Sequence, residues 1–411
     1  VGRVVLGVTG GIAAYKACEV VRRLRDAGHD VVVVPTHNAL SFVGAVTWAA
    51  LSGHPVATDV FTNADEIPHV RIGRSADLVL VVPATADLLS RAAHGRADDL
   101  LTNVLLTATC PVLVCPAMHT EMWRHAATQA NVATLRSRGT LVMEPATGRL
   151  AGPDEGQGRL PDPLEIVATA LVLLGGGDVA QKVANQDLAG LRVAVSAGGT
   201  REPLDPVRFV GNASSGRMGI AIARAAALRG ADVTLVAAHV EALLEVSGVA
   251  VVRAGTTAEL DVAMRRVSAD HDVIVMAAAP ADYRPEHVAE TKIKKASADS
   301  GLTIDLVQTP DVLAGLTRDR RPGQTIVGFA AETIDAAVDL LVAGRAKMAR
   351  KGCDLLVLND VSGGRVFGSD TTTIHILDSE GLVASVSGTK ALAAHHILDA
   401  VVQRRTAEGT N

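Results

Sequence analysis

Twice in this chain a short β-branched run breaks into a glycine turn and then into a helix-length segment. The first instance runs from Val4–Val8 through Gly7-Val8-Thr9-Gly10-Gly11 to Ala13–Ala27, with Gly28 as the C-terminal glycine. The second runs from Arg192–Ser196 through Ala197-Gly198-Gly199-Thr200 to Gly219–Leu228, closed by Gly230. Strand, tight turn and helix in this order make one unit of a parallel sheet. The turn offers bare N–H groups and a helix N-terminus to an anion. Four valines in a row, Val31–Val34, are apolar on both faces, which requires helices on both sides of the sheet. Leu78–Val82, Val112–Cys115 and Leu141–Met143 extend the first sheet, and Val233–Val236, Val273–Ala277, Ile326–Phe329 and Leu355–Leu358 the second. The fold class that follows is α/β, two doubly wound domains in tandem.

Length agrees: 411 residues at roughly 150 per domain give two or three domains. A composition 48% hydrophobic and 20% charged supplies ordinary cores. Between residues 145 and 163 the chain turns to Gly, Pro and Asp, which predicts a mobile flap. Leu164–Leu174 predicts a helix. The polar stretch after Gly175-Gly176-Gly177-Asp178 predicts a linker over 178–186, between domains at 1–177 and 187–411. Thr371–Leu377 and Val383–Ser387 predict a late hairpin, and Lys390–Arg405 a closing helix.

Composition also excludes. Net charge is −5, so no global basic field draws in nucleic acid. Five Phe, two Trp and two Tyr are too few to stack bases along a single strand. No apolar run approaches the ~18 residues of a membrane span. The N-terminus lacks the pattern of a secretory signal. The four cysteines, Cys18, Cys110, Cys115 and Cys353, form no CxxC pair, which points to neither zinc nor disulfides but to a reducing cytoplasm.

Neither glycine turn is a Walker A loop or GxGxxG, and each alone is as compatible with tight strand–helix packing as with a ligand. The connection Ser196–Gly219, SAGGTREPLDPVRFVGNASSGRMG, is sharper. Its length, five glycines and the capping residues Thr200, Asn212, Ser214 and Ser215 mark a functional loop. Downstream, Lys292-Ile293-Lys294-Lys295 puts three ammonium groups within four residues. Such a run is ordinarily a solvated basic loop. Here it follows Asp282-Tyr283-Arg284-Pro285 off a strand end, where open α/β sheets bind ligands, and lysines suit a triphosphate.

Together these segments resemble the bacterial bifunctional phosphopantothenoylcysteine decarboxylase / phosphopantothenate–cysteine ligase family of coenzyme A biosynthesis. GVTGGIAAYK (Gly7–Lys16) is similar to the family's opening turn, Pro83-Ala84-Thr85-Ala86-Asp87 to its PASANT flavin motif, CPAMHTEMW (Cys115–Trp123) to PxMNxxMW, and Pro68-His69-Val70 to its catalytic histidine segment. Gly199–Arg208, Asn212–Gly219, Ala281–Tyr283, Lys292–Lys295 and Gly328–Glu332 are similar to the ligase pattern.

The resemblance implies a flavodoxin-like flavoprotein domain at 1–177 and a Rossmann-like ligase domain at 187–411. The first half would use FMN to decarboxylate phosphopantothenoylcysteine, because a cysteine-derived carboxylate has no electron sink beside it. Gly10, Gly11 and Thr36 would contact phosphate; Phe42, Thr85, Ala86 and Thr102 would contact ring or ribitol. His69 would be the base and Met118 a substrate contact. His119 stands at the family's asparagine. Gly152 stands at its flap cysteine and cannot donate a proton; His119 or a water would replace that acid. The second half would use CTP, with Mg²⁺, to make an acyl-cytidylate that cysteine opens. Lys292 would be the catalytic lysine and Asn212 would hold the intermediate. Met276, Ala277, Ala278, Asp282, Pro310, Asp311, Val312, Leu313, Phe329, Lys347 and Lys351 would bind nucleotide. Arg217 replaces the lysine of SSGKMG and keeps the charge. Metal ligands are not read from the sequence. The resemblance further implies a homo-oligomer, trimer-based and closing into a dodecamer, with no nucleic-acid or membrane partner.

Two other readings stay open at this level. A nicotinamide dehydrogenase would use Asp30, about twenty positions past the turn, but the glycine pattern is wrong for it. A flavin-binding regulatory relative would not need the ligase-like half.

Overall fold

The computed structural model describes residues 1–56, 58, 68–152, 154–240, 246–294, 302–332, 337–360, 369 and 371–409. Two compact units change over between Asp187 and Leu188.

In the first unit, strands β1 (Arg3–Val8), β2 (Asp30–Pro35), β3 (Leu78–Ala84), β4 (Val112–Pro116) and β5 (Leu141–Val142) form a parallel sheet of order β2-β1-β3-β4-β5. Val4, Val5, Leu6 and Val8 of the central strand are fully buried, as double-sided cover requires. At about 1.5–3 kcal/mol per buried aliphatic side chain, this strand anchors the unit. The helices α1 (Ala14–Asp26), α2 (Ala45–Ser52), α3 (Pro68–Arg74), α4 (Ala86–Ala93), α5 (Leu100–Thr107), α6 (Thr120–Arg124), α7 (Ala126–Ser137) and α8 (Pro163–Leu174) connect or follow the strands. Helix α1 turns Ala14, Ala17, Val20, Val21 and Leu24 inward, a spacing of three and four residues, and Gly28 leaves it at φ +87°.

Two expectations change here. The glycine-rich flap is an antiparallel hairpin, β6 (Ala146–Arg149) and β7 (Glu155–Arg159). The stretch expected as a linker is helical: α9 covers Gly177–Asn185, buries Val183 and pairs Asp178 with Lys182 one turn on.

The second unit is an eight-stranded mixed sheet. Its strands are β8 (Arg192–Ala197), β11 (Asp232–Ala237), β12 (Val249–Arg253), β13 (Val273–Met276), β16 (Thr325–Glu332), β17 (Leu355–Asp360), β18 (Thr371–Leu377) and β19 (Leu382–Thr389), the numbers skipping two small ribbons. Those ribbons are β9 (Arg201–Pro203) with β10 (Phe209–Gly211), and β14 (Tyr283–Pro285) with β15 (Leu306–Gln308). The sheet order is β12-β11-β8-β13-β16-β17-β18-β19, parallel through β17 and antiparallel beyond, where the predicted hairpin sits. The helices are α10 (Arg217–Leu228), α11 (Thr257–Ser268), α12 (Val312–Arg318), α13 (Ala337–Lys351) and α14 (Lys390–Gly409). Arg229, fully buried after α10, donates to Asp399 Oδ1 of α14 at 2.8 Å and to the carbonyl of His395 at 3.1 Å.

Helix α10 lies directly on β8. A Cβ on Gly219 would stand 2.6 Å from Ala197 Cβ and 2.7 Å from the carbonyl oxygen of Ser196. The second neighbour is backbone and cannot swing away. Gly219→Val is therefore expected to destabilise this unit by about 1–3 kcal/mol, seen in calorimetry as a lower midpoint for its transition; an unchanged midpoint would show that the contact is soft.

Candidate functional site

In an open α/β sheet the crevice for a ligand lies at the carboxyl ends of the strands where the strand order reverses. The first sheet reverses between β1 and β3. A cavity of about 370 Å³ opens there, and Gly10, Gly11, Thr85, Ala86, Met118 and His119 all line it. The two strand ends are stitched together: Thr9 Oγ1 donates to the carbonyl of Pro83 at 2.7 Å and accepts from the N–H of Thr85 at 3.1 Å. Gly10 lies against the next strand's exit, since a Cβ on it would sit 2.5 Å from Asn38 Cβ. His119 is the N-cap residue of α6 but its ring makes no capping bond, so the imidazole is available to the cavity.

The hairpin β6–β7 closes one wall, and its glycines serve close approach rather than motion. The N–H of Met118 donates to the carbonyl of Gly158 at 2.9 Å. A Cβ on Gly158 would meet Met118 O at 2.2 Å, and one on Gly156 would meet Thr120 Oγ1 at 2.3 Å. Arg149 and Arg159 of the hairpin, with Lys16 of α1, complete a cationic rim beside Tyr15, a role that sequence reasoning had not given them. Their signal was the i, i+1 placement of Tyr15 and Lys16 just inside a helix whose N-terminus faces the turn.

Four predicted residues do not line this cavity. Thr36 is buried at the end of β2; its N–H donates to Val8 O at 2.8 Å, and its hydroxyl has no partner among the described residues. Phe42, 47% exposed, follows the short turn His37–Ser41. His69 opens α3, half-buried, with its Nδ1 shielded and unpartnered among the described residues. Thr102 is turned to another task. It is 1% exposed and completes the capping box of α5, with its hydroxyl donating to Asp99 Oδ1 at 2.7 Å; the proton expected to face ring or ribitol is spent on that carboxylate. A Cβ at Gly152 would meet nothing within 4 Å among the described residues, so none of them fills the place of a flap side chain.

The second sheet reverses between β8 and β13. A cavity of about 760 Å³ lies there. It gathers Asn212, Met276, Ala277, Ala278, Asp282, Pro310, Asp311, Val312, Leu313, Phe329, Lys347 and Lys351. Buried Ser196 accepts from the N–H of Ala278 at 3.1 Å and so fixes the strand exit. Asn212 Nδ2 donates to the carbonyl of Pro280 at 2.8 Å, which ties the long glycine loop to the segment carrying Asp282. Asp311 caps α12 through the N–H of Ala314 at 3.1 Å and receives Lys351 Nζ from α13. Burial raises the Asp311 carboxyl, but the Lys351 ammonium and the Ala314 N–H outweigh it and hold it below the usual range.

Lys292 is exposed and does not line this cavity; Lys295 lies outside the described residues. Lys390, 8% exposed at the start of α14, does line it and was missed. Its signal was a lysine in the first turn of a helix, against the macrodipole, where an anion nearby would compensate. No group of three His, Cys, Asp or Glu stands close enough to hold a metal among the described residues.

Residues 2–174 match the Flavoprotein family, and residues 188–404 match the DNA/pantothenate metabolism flavoprotein C-terminal domain. The coenzyme A biosynthesis bifunctional protein CoaBC of Mycolicibacterium smegmatis is 56% identical over 405 residues, covering 97% of each chain. That of Mycobacterium tuberculosis H37Rv is 56% identical over 406 residues, covering 97% of this chain and 96% of the relative. That of Escherichia coli K12 is 43% identical over 408 residues, covering 98% and 97%.

A buried hydroxyl without a partner costs about 1–3 kcal/mol, and Thr36 carries one. Thr36→Val keeps the shape and removes the hydroxyl, so the ligand-free protein is expected to become more stable by up to that amount. Denaturant unfolding measures it; a loss of stability would mean that the hydroxyl is bonded after all.

Proposed function

This chain belongs to the bifunctional CoaBC family of coenzyme A biosynthesis, and from that premise we propose how its residues divide the work. The polypeptide joins a phosphopantothenoylcysteine decarboxylase, a flavoprotein, to a phosphopantothenate–cysteine ligase. The decarboxylase is assigned to the first unit and the ligase to the second. The observation that carries the assignment is the second crevice, where Asn212, Asp282, Phe329, Lys347 and Lys351 converge beside a long glycine loop.

In the ligase unit the nucleotide is CTP. The phosphopantothenate carboxylate attacks its α-phosphate and releases pyrophosphate, and cysteine then displaces CMP from the acyl-cytidylate. Charge builds on phosphate oxygens in the first step, so preorganised cations stabilise it. Lys347 and Lys351 stand one helical turn apart on α13 and face the cavity. Asp311 holds Lys351 there. Mg²⁺ accompanies CTP bound chiefly by phosphate oxygens and water, which asks for no protein cage. Lys292 is the catalytic lysine and Asn212 holds the intermediate.

In the decarboxylase unit the flavin is FMN. The orphaned hydroxyl of Thr36 and the bare turn at Gly10 and Gly11 fit its phosphate, and Thr85, Ala86 and Phe42 its ring and ribitol. When bound, the flavin supplies the electron sink that the substrate carboxylate lacks. His69 is the base; an imidazole nitrogen kept buried without a partner among the described residues suits that role. His119 delivers the last proton, because its ring lines the cavity while Gly152 carries no acid. His69 stands apart from the cavity lining, and Ile12, Phe42, Val46 and Met122 leave large apolar surfaces exposed. Both features support a homo-oligomer in which a second copy completes the flavin site, trimers of which close into a dodecamer. All four cysteines are free and no single described helix is long and apolar enough to cross a membrane, which accords with a cytoplasmic enzyme.

Three experiments test this. With phosphopantothenate, cysteine and CTP the protein is expected to release CMP, with ATP run in parallel. Lys292→Gln should abolish ligation and leave decarboxylation intact; loss of both activities would refute separate sites. His119→Ala and His119→Asn should keep CO₂ release while the saturated thiol product falls at least about tenfold and the unsaturated ene-thiol accumulates; full-rate product from either variant assigns the acid elsewhere.

A further inference from the structure

The long loop between β8 and α10 carries Asn212 at one end of its turn and a buried carboxylate, Asp205, at the other. Asp205 has no exposed side-chain surface. A carboxylate so placed needs every lone pair engaged, and this one engages two parts of the chain. Its Oδ1 accepts from the N–H groups of Val207 and Arg208, both at 2.8 Å, which folds the loop on itself. Its Oδ2 accepts from Arg208 Nε at 2.9 Å and from the N–H of Ile293 at 3.1 Å, 88 residues away in sequence. Arg208 completes the grip by donating through Nη2 to the carbonyl of the same Ile293. Both backbone groups of Ile293 are thus held, and the N–H of Ala289 adds a bond to the carbonyl of Leu204 at 3.0 Å.

We propose that Asp205 is a positioning residue of the ligase reaction, fixing the backbone of Ile293 and so the place of the adjacent Lys292 relative to the loop that bears Asn212. This rests on the assignment of Lys292 as the catalytic lysine. The physical need is clear. Lys292 is exposed, and a lysine side chain has four rotatable bonds and about 2 kcal/mol of rotamer entropy. Its effective concentration at a phosphate depends on how firmly its Cα is held. Burial alone would raise the Asp205 carboxyl, but the N–H groups of Val207, Arg208 and Ile293 and the Arg208 charge hold it at about 2. The clamp is therefore charged throughout the working range of an enzyme.

Asp205→Asn separates the two jobs of the side chain. The amide oxygen can still accept from Val207 and Arg208, while the amide NH₂ cannot accept from Ile293. Ile293→Pro removes the same bond from the other side and leaves Asp205 in place. In the full-length protein, each variant is expected to lower the ligase kcat about 10- to 100-fold, with the KM for CTP changed less than about threefold and decarboxylation at the wild-type rate. Hydrogen exchange on Asp205→Asn should show faster exchange in the 289–294 segment. A wild-type kcat in Asp205→Asn, a matching rise in the KM for CTP, or unchanged exchange overturns the proposal. If Asp205→Asn unfolds the unit, Ile293→Pro decides alone, and its wild-type kcat is equally fatal. A Lys292→Gln protein that still ligates overturns the assignment beneath the proposal, whereas faster exchange at 289–294 in Asp205→Asn with wild-type kcat overturns the positioning role only.

Discussion

Parallel strand pairing is the constraint from which both sites arise. A parallel neighbour cannot be reached by a tight turn, so each connection crosses a face of the sheet and returns. At the strand where successive crossovers change direction, the loops part and leave a crevice. In the first sheet this happens beside β1, in the second beside β8. These are the strands that open each half of the sequence, and both break at once into glycine turns. The turns must be glycine-rich for a geometric reason: at Gly10 and Gly198 a single added carbon would collide with Asn38 or with the carbonyl of His239. Farther on, Gly219 inside α10 meets a separate requirement, the close approach of that helix to β8.

Much of this was legible in the sequence, because it is local or periodic. The valine runs, the helix stops at Gly28 and Gly230 and the late hairpin all follow from rules that act within a dozen residues. Where the structure departs from the expected environment, a particular contact decides, distant in some places and local in others. Gly156 and Gly158 look like flexibility until Met118 and Thr120 are seen pressed against them. Residues 178–186 look like a linker because their apolar content is low, yet one buried valine and one ion pair are enough for a short helix. Thr102 has the right chemistry for a ligand, but Asp99 three residues earlier claims its hydroxyl. Lys292 and His69 show the opposite limit: their motifs are legible, but neither lines either of these two cavities.

The shortage of aromatic residues takes on a different meaning in the structure. Among the described residues, Phe329 is the one phenylalanine lining the second cavity, with Tyr283 beside it, and Tyr15 is the only aromatic ring besides His119 lining the first. On the proposed assignment, recognition falls to strand-exit backbone such as Met276–Ala278, to capped helix starts at Thr85 and Asp311, and to lysines and arginines. Backbone groups are held by the sheet itself and lose little freedom on binding, whereas each long cationic side chain must be ordered at a cost.

That cost gives three carboxylates of the second unit a holding role. Asp311 receives Lys351 and caps α12, so the cation it holds is tied to a rigid helix start. Glu202, 2% exposed, accepts from both the N–H and the hydroxyl of Thr257, whose hydroxyl meets that of Thr200, which in turn accepts from the N–H of Ala281 beside Asp282. Asp205 grips Ile293 beside Lys292. Glu202 and Asp205 are thus withdrawn from solvent, each next to a segment assigned to phosphate or nucleotide, while Asp311, 48% exposed at the cavity wall, keeps its charge paired with Lys351. An acidic side chain facing a triphosphate directly would repel it. Turned inward and engaged by N–H groups, a hydroxyl or a guanidinium, the charges of Glu202 and Asp205 stiffen these loops instead.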